Sequence, residues 1–190
     1  MNSATDLLAQ AAASDPQAFA SLYDRFFPRV YTYLRYRCGD AAEADDLAAQ
    51  VFERLLARLE QYQPQRGAFE PWLFTIAHNV LIDHARKQRR FWQFWQEQVR
   101  QTGPGISPEE HVIGKEDTQH LLAAIARLDE RSRELVSLKF FAQLSNRQIA
   151  EMLQLSESNV GVILYRAVAQ MRSVMKNADR MPDLQGVKSK

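Results

Sequence analysis

A single cysteine, Cys38, is all the chain contains, which excludes an internal disulfide framework and any multi-cysteine metal site. Its ordinary role is that of a small buried residue. Glycine and proline are scarce, seven of each in 190 residues, and no segment alternates apolar and polar residues over strand lengths. An almost entirely helical, all-α fold is expected. No apolar run approaches the roughly 18 residues that a membrane span needs. The stretch MNSATDLLAQAAASDPQAF carries acidic residues and no basic region ahead of a long apolar run, so it lacks the layout of a secretory signal. A soluble protein of the reducing cytoplasm is expected. Charge of one sign is missing too: 24 basic and 23 acidic residues leave a net +1. The field of the whole molecule therefore gives no reason to expect nucleic acid, and such a partner must be sought where charge is locally segregated. Catalytic signatures are equally absent. His78, His84, His111 and His120 show no metal-ligand spacing with acidic partners, and no glycine-rich phosphate loop or nucleophile motif occurs. Neither an enzymatic activity nor a cofactor nor a metal is expected.

What is present is a 46% hydrophobic content, enough to bury one medium core or two small ones. Breakers cluster in QYQPQRGAFEP, Gln61 to Pro71, and in QTGPGISPEEH, Gln101 to His111. The second has the composition of an interdomain linker. Domains are expected at residues 5–95 and 117–176, with a linker at 96–116 and a disordered tail at 177–190, where NADRMPDLQGVKSK has little to bury. In the first domain, Leu47, Val51, Leu55 and Leu59 recur every four residues with Phe52 and Leu56 beside them, which predicts one apolar stripe on a helix. The opposite face carries Asp45, Asp46, Gln50, Glu53, Arg54 and Arg58. An earlier helix holds Phe19, Leu22, Tyr23, Phe26 and Phe27 and continues to Arg37; a later one starts near Pro71 and carries Trp72, Ile76 and Val80.

That later helix changes character along its length. PWLFTIA is mostly apolar, whereas DHARKQRR places Arg86, Lys87, Arg89 and Arg90 within five residues. From Asp6 to Arg90 there are 11 acidic and 11 basic residues, so the run is a local segregation in a neutral domain. A solvated helix end favoured by the helix dipole is the simple account. The sharper one is a phosphate-contacting patch beside aromatics able to stack on unpaired bases, with Trp72, Phe74, Phe91, Trp92 and Trp95 as candidates.

LSNRQIAEMLQLSESNVGVILYRAVAQMR, Leu144 to Arg172, predicts a helix-turn-helix. Ser145 with Gln148 forms a capping box, and Ser156 is a second N-cap, so the first helix has eight residues and ends near Leu153. Ile149, Ala150, Leu153, Leu155, Val160 and Leu164 supply the interior. On a helical wheel with Val160 inward, Leu164, Ala167 and Met171 fall within about 40° of it, and Ile163 sits at the core edge. Ser158, Asn159, Val162, Tyr165, Arg166 and Ala169 lie opposite. Val162 can touch a thymine methyl, Arg166 can pair with guanine or phosphate, and Asn159 can reach an adenine edge or a phosphate. One arginine on the groove face makes a weak reader, so help is expected from the basic end of the first domain across the linker.

EADDLAAQVFERLLARL followed by GAFEPWLFTIAHNVLIDHARKQRR, and then the helix-turn-helix, resembles the extracytoplasmic-function (ECF) sigma factors of bacterial RNA polymerase. The resemblance covers about Phe19 to Arg90 and Leu121 to Arg172. It implies two helical domains and a promoter-specificity subunit that recruits core RNA polymerase and helps melt promoter DNA. It also implies that Asp45, Asp46, Leu47, Gln50 and Phe52 belong to the segment docking on the polymerase clamp. The loop from Gln61 to Glu70 is similar to one that captures a flipped base of the −10 element, which brings in Gln65, Arg66 and Phe69. Asn79, Asp83, His84, Arg86, Lys87 and Arg90 fall where the family contacts −10 DNA. Ser158, Asn159, Val162, Tyr165 and Arg166 would read the −35 element. Core RNA polymerase, promoter DNA and an anti-sigma factor are the implied partners, with no membrane insertion. Two departures stand out: Gly161, Val162 and Ile163 replace a small, basic run, and Gln154 occupies a turn position where glycine is common. The competing expectation is a self-sufficient regulator binding duplex DNA without polymerase, although no dimerisation stripe is evident.

Overall fold

The computed structural model describes residues 3–99 and 116–178, and side chains within 3–89 and 120–175. These residues form eight α-helices and no strand. The chain divides into two compact units, Met1–His111 and Val112–Lys190.

The first unit begins with α1, Ala4–Ala11, where Ser3 and Asp6 form a reciprocal capping box. Helix α2, Pro16–Cys38, starts at Asp15, whose carboxylate accepts from the Gln17 amide at 2.9 Å, with proline in the first turn where its missing N–H is harmless. It stops at Gly39, φ 85°, a left-handed residue whose amide donates to the Arg35 carbonyl. Leu22, Phe26, Val30 and Leu34 recur every four residues and, with Tyr33, are fully buried. Helix α3, Ala41–Arg58, is capped by Asp40 and buries Ala44, Leu47, Ala48, Val51, Phe52 and Leu55 against α2 and α4. Leu56, expected beside that stripe, is 57% exposed. One residue past Leu55 is a turn of about 100°, enough to carry it off the buried arc.

Helix α4, Phe69–Val99, is anchored at its start by aromatic packing. Phe69 meets Phe26 edge-on at 5.4 Å, and Phe74 meets Tyr33 at 5.7 Å. The Arg29 guanidinium lies over the Phe26 and Phe74 rings and bonds Glu70 at 3.3 Å, so one cation ties α2 to the first turn of α4.

In the second unit, α5 (Glu116–Ala126) and α6 (Glu130–Val136) precede a π-helical turn, Ser137–Phe141, closed by the Ala142 amide on the Ser137 carbonyl at 3.0 Å. Helix α7, Asn146–Leu153, carries the expected capping box between Ser145 and Gln148. Helix α8, Glu157–Ala178, starts beyond Ser156, whose hydroxyl accepts from the Asn159 amide at 3.2 Å. It packs on α5, α6 and α7 through Val160, Leu164 and Ala167, with Ile149 and Ala150 opposite.

Gln154 takes φ 55° and ψ 46° between α7 and α8, the left-handed conformation that its Cβ disfavours. Replacing it with glycine is expected to raise the stability of this unit by ~0.5 kcal/mol, because relief of that strain exceeds the extra entropy of the unfolded chain. Gln154→Val should lose more than that, since a β-branched residue tolerates this region worst. Denaturant midpoints of the two variants check the ordering; equal midpoints would mean that the turn holds no strain.

Candidate nucleic-acid interface

On α8 the inward residues Val160, Leu164 and Ala167 are 7% exposed or less. Ser158, Asn159, Val162, Tyr165 and Arg166 are all exposed, Tyr165 at 79%. These five share the face turned away from the core, and two of them, Val162 and Tyr165, are apolar or aromatic side chains held in solvent. Ile163 is half-buried, at the edge between the two faces. A Cβ placed on Gly161 would meet only Asn146 Nδ2, at 3.9 Å, so nothing inside the protein requires glycine there.

In the first unit, α4 is stapled to α3 by polar pairs. Asp83 accepts from Arg54 at 2.9 Å, and Glu43 takes both the His84 ring nitrogen and the Gln88 amide, the latter at 2.6 Å. The bond from Arg54 outweighs an opposing desolvation effect, and the positive charges of Arg54, Arg86 and Lys87 add to it, so the Asp83 carboxyl is held below its ordinary range. Asp83 and His84, expected at the DNA face, are thus paired with α3 while their side chains stay 43% and 27% exposed. Asn79, Arg86 and Lys87 are exposed, and seven residues separate Asn79 from Arg86, which sets them on one side of the helix. The side chains of Arg90, Phe91, Trp92 and Trp95 lie outside the described residues, as do residues 100–115 of the expected linker and 179–190 of the expected tail.

Three expected contact residues face the wrong way. Leu47 and Phe52, 1% and 5% exposed, are core residues of α3, with the Phe52 ring 4.6 Å from Tyr23. Phe69 is fully buried against Phe26 and Tyr62. Each sits on the apolar side of its helix, where desolvation favours burial over solvent presentation. Asp45 and Asp46 are exposed and Gln50 is half-buried, so the polar face of α3 remains outward. Among the stacking candidates, Phe74 is buried, whereas Trp72 is half-buried, 5.1 Å from the Tyr62 ring.

Between α3 and α4 the chain makes two short 3-10 turns, Leu59–Gln61 and Pro64–Arg66, which leave Gln65 and Arg66 exposed. Its ends are held by a residue that sequence patterns do not single out. Asp6 accepts from the Tyr62 hydroxyl at 2.6 Å and from the Phe69 amide at 3.0 Å. Burial pushes the Asp6 carboxyl up, but these bonds and those from Ser3 outweigh it and hold it below its ordinary range; burial followed by the Asp6 contact pushes the Tyr62 phenol up. The Ser3-x-x-Asp6 spacing is a legible capping box, yet nothing local links Asp6 to residues more than fifty positions away.

A helix-turn-helix whose second helix is bare on one face, with Arg86, Lys87 and Arg89 exposed within α4 of the other unit and not at the helix end the sequence suggested, has the features of a DNA-binding protein. Residues 22–91 match the model for sigma-70 region 2, and residues 118–171 match that for sigma-70 region 4. Over 176 residues the chain is 32% identical to the ECF RNA polymerase sigma factor BldN of Streptomyces coelicolor, covering 92% of this chain and 67% of that protein. It is 31% identical to the ECF RNA polymerase sigma factor RpoE of Cereibacter sphaeroides, covering 72% of this chain and 74% of that one. In fold it is similar to CnrH, solved in complex with the cytosolic domain of CnrY, with a TM-score of 0.68 at 23% identity over 92% of this chain and 99% of that one. A similar likeness, TM-score 0.66 at 19% identity over 84% and 98%, holds for the sigma factor RpoE of Bartonella quintana, solved with the anti-sigma factor NepR. The chain belongs to the ECF RNA polymerase sigma factors. Among the described residues no helix is long and apolar enough to cross a membrane.

Proposed function

We propose that this sigma factor divides promoter recognition between two domains, residues 5–95 and 117–176, joined by a linker at 96–116. The observation that carries this division is the solvent-facing set on α8, Ser158, Asn159, Val162, Tyr165 and Arg166, opposite a wholly apolar inner face. That helix reads the −35 element in the major groove. In the first domain, the outward side of α3, with Asp45, Asp46 and Gln50, docks on the clamp of core RNA polymerase. Gln65 and Arg66 in the loop, with Asn79, Arg86 and Lys87 on α4, hold the melted −10 strand. Leu47, Phe52 and Phe69 support those surfaces from beneath, and Asp83 and His84 fix α4 on α3.

The protein acts without catalysis of its own, in the cytoplasm where the polymerase works, and an anti-sigma factor covering the polymerase-binding face keeps it inactive. Melting needs the unpaired bases to be held well enough to offset unstacking, which costs a few kcal/mol per step. Core polymerase supplies much of the remaining DNA affinity, so one arginine on the groove face of α8 suffices to choose among sites. The test is co-elution of the full chain with bacterial core RNA polymerase, beside its affinity for bare duplex DNA. Stable association with core and negligible binding to DNA alone are expected. Failure to associate, with tight duplex binding, would instead describe a self-sufficient regulator.

A further inference from the structure

The loop from Gln63 to Ala68 buries no side chain of its own: Gln63, Gln65, Arg66, Gly67 and Ala68 are exposed, and Pro64 is half-exposed. Inside it, the Arg66 amide bonds the Gln63 carbonyl at 2.9 Å and the Gly67 amide bonds the Pro64 carbonyl at 3.3 Å. Two turn bonds in solvent are too few to give six residues one shape. What fixes the loop lies at its ends, and both ends meet at one carboxylate on a different helix.

Asp6 is 6% exposed, rare for an aspartate, and each of its oxygens takes two donors. Oδ1 accepts from the Tyr62 hydroxyl at 2.6 Å and the Phe69 amide at 3.0 Å; Oδ2 accepts from the Ser3 amide at 2.8 Å and the Ser3 hydroxyl at 2.9 Å. The Tyr62 hydroxyl also lies 3.2 Å from the Gly67 carbonyl, reaching into the middle of the loop. Its ring packs edge-on against Phe69 at 5.4 Å and beside Trp72 at 5.1 Å. An acceptor with charge to share among four donors makes stronger bonds than a neutral one, and here they join the cap of α1, the last turn before the loop and the first residue of α4.

We propose that Asp6 is the positioning residue of the −10 loop: by tying Tyr62 and Phe69 to α1, it presents Gln65 and Arg66 in one place for an unpaired base. It rests on the reading that this loop takes such a base. Asp6 touches no DNA. Its contribution is to remove in advance the loop freedom that capture of the base would otherwise have to remove.

The test uses holoenzyme assembled from the full chain and bacterial core RNA polymerase. Its probe is a single-stranded DNA enriched from a random pool by the wild-type holoenzyme, together with copies made abasic at one position at a time. Wild type is expected to lose about tenfold in affinity at the position the loop holds, the scale of one stacked base. Asp6→Asn turns one of the accepting atoms into a donor facing donors. It should bind the intact strand about tenfold more weakly and lose nothing further at that abasic position; Tyr62→Phe, which removes one of the four donors, should bind the intact strand about threefold more weakly and keep only about a threefold penalty there. Leu34→Ala, a core change in α2, serves as control: it lowers the melting temperature but should keep the full wild-type penalty at the abasic position. Tyr62→Phe removes one hydroxyl only and carries the test should the Asp6 variant fail to fold. If both variants keep the wild-type penalty while Arg66→Ala abolishes it, the loop holds a base and Asp6 does not position it. If no abasic position matters and Arg66→Ala changes nothing, the loop holds no base and the proposal falls with that reading.

Discussion

Replacing Arg86 and Lys87 together with alanine is expected to lower open-complex formation by tenfold or more, while affinity for core polymerase stays within about twofold, since each cation lost removes a phosphate contact without touching a protein partner. Both side chains are exposed, and neither makes an ion pair or hydrogen bond among the described residues. They stand on α4 between His84 and Gln88, which both bond Glu43 of α3, but their own side chains take no part in those bonds, so their removal leaves that packing intact. The signature is ionic: two lost contacts to single-stranded DNA should flatten the slope of log affinity against log salt by roughly 1.4. Rates of promoter opening measured across a salt series, beside core affinity for the same variant, decide the matter. Equal losses in both would place the two cations at the polymerase surface instead of the melted strand.

Arg166→Ala should weaken transcription by roughly 5- to 150-fold at promoters that depend on the upstream element, the range spanned by one bidentate base contact. At promoters whose upstream element has been scrambled the same change should cost little. Arg166 is exposed one residue after Tyr165 and four after Val162, so all three lie on the bare side of α8, and it is the only cation of the proposed contact set. Run-off transcription from the intact and scrambled templates measures the difference. If the variant transcribes the intact template as well as wild type does, α8 does not read that element. The dependence on a single arginine also accounts for a recognition helix that carries Gly161, Val162 and Ile163 where basic residues would be expected. On the proposed division its specificity would be modest, because core polymerase and the first domain, bound as one assembly, would supply the larger share of DNA affinity.

The sequence by itself determined the helical class, the helix-turn-helix and the face of its second helix. These follow from rules that act within a few residues: four-residue spacing of apolar side chains in α2 and α3, a capping box at Ser145 and Gln148, and a hundred-degree advance per residue along α8. Gln154 was legible only through the family resemblance, which marks it as standing where glycine is common, and it takes φ 55°. The family was also legible, because its motifs are runs of consecutive residues. Which residues of those runs face outward was decided only by tertiary structure. Leu47, Phe52 and Phe69 sit within stretches that resemble contact segments, yet each points into the core, because burial depends on the neighbouring helices and not on the run in which a residue stands. That Asp83 and His84 pair with Arg54 and Glu43 of α3 was likewise decided only by folding. Asp6 shows the limit most clearly. Its partners lie at Tyr62 and Phe69, and no local spacing links a carboxylate on one helix to donors that only folding brings to its two oxygens.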